Sequence, residues 1–131
     1  QFADYLIRAA GGTSMPSVSN GTLSDYYLQT AFLYIEKNFM NDISVESIAA
    51  RCNIHRNQLL KLFKDKIGQG PQEYLIKYRM SRAAQLLLTT GLSVNEIGNA
   101  VGYANQLHFS RAFKNVYGMS PKYFRDTKRE L

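Results

Sequence analysis

The chain has 131 residues, 45% of them hydrophobic, which suffices for one real core and is too little for two large independent ones. With no run of about 18 apolar residues, no secretion-signal pattern, one cysteine and two histidines, it is expected to lack a membrane span, a cleaved leader, an internal disulfide and a structural zinc site, and to be cytoplasmic. The formal net charge of +6 falls wholly in residues 21–131, since Arg8 is offset by Asp4, and such an excess suits a polyanion: nucleic acid or an anionic membrane.

The sequence starts at Gln1 rather than Met, which points to a fragment of a longer chain. Residues 1–10 set Phe2, Leu6 and Ile7 at helical spacing, and GGTSMPSVSNG follows with three glycines and a proline. Residues 1–24 therefore read as a short helical remnant and linker from a missing upstream module, or else as a frayed tail. From residue 25, Leu28, Phe32, Ile35 and Phe39 recur at spacings of three and four, a helix with Ser24 or Asp25 as its cap. Ser44 opens a second helix with Val45, Ile48, Ala49 and Cys52 on its apolar face, which makes Cys52 a core residue rather than a reactive thiol. After a break at Asn53, residues 55–66 form a third helix, with Leu59, Leu62, Phe63 and Ile67 turned inward. Two short helices joined so tightly have the outline of a helix-turn-helix.

Pro71 suits the first residue of a long helix running to Thr89 or Thr90, with Tyr74, Leu75, Tyr78, Ala83, Leu86 and Leu87 as its buried stripe. Gly91 stops it. Ser93 and Glu96 then make a capping box for a helix over about 94–101. A partner helix covers about 105–117, and Ser120-Pro121 starts the last, serine as cap and proline in the first turn. The expected fold is all-α: helix-turn-helix subdomains over about 44–67 and 93–117, a long central helix over about 71–90, and about seven helices in residues 25–131.

The second pair of helices repeats the first. Ser44-Val45, Ile48 and Cys52 recur forty-nine residues on as Ser93-Val94, Ile97 and Val101. Leu59, Lys61 and Phe63-Lys64 recur fifty residues on as Phe109, Arg111 and Phe113-Lys114, and Gly68, Pro71 and Tyr74 as Gly118, Pro121 and Phe124. One supersecondary unit has been used twice, so a function assigned to one copy should make sense in the other. Recognition of DNA does; catalysis needs no second copy.

Over about residues 25–129 the sequence resembles the AraC family of bacterial transcription regulators. The most specific stretches are Ile97-Gly98-x-x-Val101-Gly102-Tyr103, Phe109-Ser110-Arg111-x-Phe113-Lys114 and Gly118-x-Ser120-Pro121-x-x-Phe124-Arg125. The resemblance implies seven helices, two helix-turn-helix subdomains bridged by the central helix, often behind a separate sensing or dimerising domain. The first copy departs from it, with Asn53-Ile54 where the second has Gly102-Tyr103.

A major groove about 12 Å wide admits an α-helix and displays a distinct pattern of donors, acceptors and methyls for each base pair. Subtracting the inward residues leaves Arg56, Asn57, Leu60, Lys61 and Lys64 on one recognition helix, and Gln106, Leu107, Ser110, Arg111 and Lys114 on the other. Lys61 and Arg111 are equivalent, and each either reads guanine or holds a phosphate. Asn57 and Gln106 suit adenine or cap locally. Leu60 and Leu107 touch a thymine methyl or pack at the rim. The expected phosphate contacts are the helix starts at Ser44, Ser93 and Asn105, His55 at the first turn, and Lys64, Lys114, Lys122 and Arg125. Arg79 and Arg82 brace the two units or contact backbone, bracing being the preferred reading, and His108 is a surface group.

No nucleophile with its base, carboxylate pair or phosphate-binding glycine loop is visible, and no cofactor or metal is expected. DNA-repair proteins with this type of helical unit use a metal-holding cysteine cluster that a single cysteine does not provide. A helical protein-interaction module is the remaining rival. The expected partners are a double-stranded DNA operator, RNA polymerase for the full-length regulator, and a second copy through the upstream domain, with no membrane partner.

Overall fold

The computed structural model describes residues 22–128. Among them are seven α-helices and no strand: α1 Leu23–Asn38, α2 Val45–Cys52, α3 Arg56–Ile67, α4 Pro71–Thr89, α5 Val94–Ala100, α6 Gln106–Tyr117 and α7 Pro121–Lys128. This is the expected all-α order, and the helix expected in residues 1–10 lies outside the described residues. The helices group into two units whose boundary falls within α4, the first ending at Leu75 and the second starting at Ile76.

α1 is capped one residue before its start, where Thr22 Oγ1 accepts from the Asp25 amide and Asp25 Oδ2 from the Thr22 amide, both at 3.2 Å. The cap expected at Ser24 or Asp25 is thus corrected to Thr22. A capping box places its acid three residues inside the cap, which is where Asp25 stands. Ala31 and Ile35 of α1, Ile48 of α2, and Leu59 and Phe63 of α3 are fully buried. Phe32 stacks on Tyr74 at 4.9 Å, and Phe63 meets both rings edge-on at 5.9 Å, so the first turn of α4 closes this unit. Cys52 is buried, its thiol donates to the Tyr27 carbonyl at 3.6 Å, and burial pushes its pKa up, in agreement with a core role.

The second unit is closed in the same way. Phe113 and Phe124, the equivalents of Phe63 and Tyr74, meet edge-on at 5.3 Å, and Tyr117 packs on both. Met80, Ala83 and Leu87 of α4 are fully buried, as are Ile97, Phe109 and Phe113. On α4 the expected stripe is largely present, but Leu86 is only half-buried, and Met80 and Ala84 are buried instead. Ser93 and Glu96 form the expected box, at 2.8 and 3.0 Å, and Ser120 caps α7 by accepting from the Tyr123 amide at 3.1 Å.

The two turns are alike despite their different residues. Asn53 takes the left-handed conformation at φ 59°, and Gly102 also has a positive φ, 106°. In each turn the following amide donates back to the helix, Ile54 to the Ala49 carbonyl at 3.1 Å and Tyr103 to the Gly98 carbonyl at 2.8 Å. Asparagine is the non-glycine residue best able to hold this conformation, because its short polar side chain offsets the steric cost of the Cβ. The departure from Gly-Tyr in the first copy therefore leaves the turn intact.

Candidate nucleic-acid interface

Each unit offers one helix with a buried side and an open side. On α3, Leu59, Leu62 and Phe63 face the core while Asn57, Lys61 and Lys64 are exposed and Leu60 is half-buried. On α6, Phe109 and Phe113 face the core while Leu107, Arg111 and Lys114 are exposed and Ser110 is half-buried. At 100° per residue, Asn57, Leu60, Lys61 and Lys64 fall on one side of α3, and their repeat equivalents Leu107, Ser110, Arg111 and Lys114 on the same side of α6. Arg56 and Gln106 are the first residues of these helices, and both are exposed.

The electrostatics of the two faces differ. On α3, Lys61 Nζ lies 3.0 Å from Asp65 Oδ2, and Arg56 Nε lies 2.7 Å from Glu46 Oε2 at the start of α2. The Glu46 carboxyl is held below its ordinary range by its own backbone amide and then by Arg56. On α6, Arg111 and Lys114 have no carboxylate partner among the described residues. Cations alone do not point to these acids. The signal was the repeat itself, since Asn95 and Asn115 stand where the first copy has Glu46 and Asp65.

Several expected phosphate contacts turn out to have internal partners. Arg125 is half-buried and caps the C-terminus of α4, its Nε donating to the Leu87 carbonyl at 3.0 Å and its Nη2 to the Thr90 carbonyl at 3.2 Å. The last carbonyls of a helix are unsatisfied and partly negative, so they hold this guanidinium. Arg79 is buried, with its guanidinium 5.8 Å from the Tyr103 ring centroid. The Ser93 amide is occupied by Glu96, whose carboxylate sits where an anion would approach α5. The Asn105 side chain caps α6 by accepting from the His108 amide at 3.1 Å. In the first unit the corresponding box is neutral, Ser44 and Ser47 bonding reciprocally at 2.9 and 3.1 Å. His55, Lys64, Lys114 and Lys122 are exposed, with Lys122 paired to Asp126 at 3.3 Å.

Residues 48–127, from within α2 through α7, match the helix-turn-helix domain family. An AraC-type DNA-binding-domain regulator from Chromobacterium violaceum superimposes with a TM-score of 0.75 and 33% identity, over 80% of this chain and 94% of that one. The chain belongs to the AraC-type helix-turn-helix family. Membership makes this AraC-type chain a DNA-binding domain of a transcription regulator. The Msm operon regulatory protein of Streptococcus mutans is 36% identical over 107 residues, covering 82% of this AraC-type chain and 38% of that protein. The DNA-binding domain of the global transcriptional factor AdpA, solved in complex with a target DNA, superimposes with a TM-score of 0.74 and 26% identity, over 79% of this chain and 93% of that one. The AraC-type domain described here spans about a third of the length of the curated relatives it matches. No helix among its described residues is long and apolar enough to cross a membrane.

Proposed function

We propose that this AraC-type domain binds double-stranded DNA sequence-specifically, α3 and α6 entering successive stretches of the major groove. The observation that carries the reading is the matched pair of open helix faces, polar and basic on both, in two units built by one repeated sequence pattern. Arg56, Asn57, Leu60 and Lys61 read bases from α3, and Gln106, Leu107, Ser110 and Arg111 from α6. The apolar contact falls at different repeat positions in the two helices, Leu60 on one and Leu107 on the other, so the two half-sites differ and the site is asymmetric. Lys64, Lys114, Lys122, His55 and the start of α2 at Ser44 hold phosphates.

Residues 25–131 constitute the DNA-binding domain, and residues 1–24 lead from an upstream module. In the full-length regulator, RNA polymerase and a second copy of the protein are the further partners, in keeping with relatives of which the match covers only about a third. The domain acts in the cytoplasm.

A mobility shift on random-sequence duplex, repeated at rising salt, tests the central claim. Log affinity should fall with log salt at about −0.9 per phosphate contacted. Affinity that does not change between low and moderate salt would overturn it. Selection from a random duplex pool should then recover one asymmetric sequence.

A further inference from the structure

The charge of the domain is divided unequally. Residues 22–75 carry six basic and six acidic side chains, whereas residues 76–131 carry nine basic and three acidic, so the whole net charge of +6 belongs to the second unit. In the first unit the acids stand on the cations of the proposed reading helix. Glu46 and Asp65 are exposed and hold Arg56 and Lys61 at 2.7 and 3.0 Å. The repeat supplies an internal control, because both acids are replaced by neutral asparagines, Asn95 and Asn115, in the second unit.

We propose that Glu46 and Asp65 make DNA engagement by the first unit conditional on sequence, leaving the second unit to carry sequence-independent binding. This rests on the reading of α3 and α6 as DNA-reading helices. When Arg56 and Lys61 touch DNA, the carboxylates that accompany them are brought towards phosphate. With Arg56 and Lys61 held by carboxylates, the first unit gains less from counterion release than the second, so on random sequence most of the binding falls to the second unit. Only base contacts of the right pattern, roughly 1–3 kcal/mol for each two-pronged pair, offset that loss. The second unit has unpaired Arg111 and Lys114 on its open face and needs no such match to bind.

The test uses the 131-residue chain, a random-sequence 30-base-pair duplex and a duplex recovered by selection, with salt titrations on each. On the random duplex, Arg111→Gln with Lys114→Gln should flatten the salt slope by about 1 to 2 and weaken binding about tenfold, while Lys61→Gln with Lys64→Gln should change both by less than half as much. On the selected duplex the second pair should weaken binding as well. Glu46→Gln with Asp65→Asn, which alter charge at constant shape, should tighten binding to the random duplex and steepen its slope by about 1 to 2. Equal losses on random duplex from the two cation pairs, or an unchanged slope after the two acids are neutralised, would overturn the division of labour. Absence of wild-type binding to any duplex would instead overturn the DNA-reading proposal beneath it.

Discussion

At the residue scale, the contact between α5 and α6 depends on a missing methyl. A Cβ added to Gly98 would lie 3.0 Å from Cγ and Cδ2 of the Phe109 ring, closer than carbon atoms normally pack. The first unit solves the same crossing differently, with Ala49 and Leu59 at the equivalent positions, both buried. A larger residue on one helix and a smaller ring-free one on the other keep the volume matched. Alanine is ordinarily favoured over glycine inside a helix by about 1 kcal/mol, yet Gly98→Ala is expected to destabilise the fold by roughly 1–3 kcal/mol because the added methyl presses on the buried Phe109 side chain. Gly98→Ala combined with Phe109→Leu should recover most of the loss. Urea unfolding of the three variants checks this, and an unaltered midpoint for Gly98→Ala alone would show that the ring has room to move. The repeat made the positions comparable, but the clash depends on how closely two backbones approach, which a residue pattern does not encode.

At the element scale, α3 and α6 were identifiable from apolar periodicity, and subtraction of the inward residues picked out the same open faces that the structure shows. Subtraction fails for side chains whose partners are distant in sequence. Arg125 looked like a surface cation on α7, but its guanidinium spans to the end of α4, thirty-five and thirty-eight residues away. Lys122, three residues earlier on the same helix, is exposed with only an i,i+4 partner in Asp126, a type of pair worth about 0–1 kcal/mol and easily exchanged for phosphate. Arg111 projects from the open side of α6 with no carboxylate to satisfy its planar fork among the described residues. Arg111→Ala should therefore cost roughly 1–3 kcal/mol on the selected duplex and relax preference at one base position, whereas Lys122→Ala should weaken all sequences alike. Competition binding with singly substituted duplexes distinguishes the two, and equal losses on selected and random DNA for Arg111→Ala would remove it from the base-reading set.

At the scale of the whole molecule, the proposed reading of DNA by both units predicts that affinity depends on the spacing of the two sub-sites. A helix of 19 residues, at about 1.5 Å each, is roughly 28 Å long, and one duplex turn is ~34 Å. Inserting about five base pairs between the sub-sites turns one of them to the opposite side of the duplex, since the repeat is 10 to 10.5 base pairs. Affinity should fall to the level one unit provides, with the footprint shortened to the sub-site bound by α6, the basic unit. An unchanged affinity and full-length footprint would mean that the units are not held in a rigid pair. The sequence by itself determined the helices, their caps at Ser44, Ser93 and Ser120, the duplication and the two open faces, because these follow from spacing within single segments and from a repeated pattern. Only tertiary structure decided that Asn53 holds the turn that Gly102 holds, that Arg79 lies against Tyr103, that Arg125 caps α4, and that Glu46 occupies Arg56. Each of these depends on backbone conformation or on groups brought together from separate helices, and attraction between such groups falls off too steeply with distance to be read from their places along the chain.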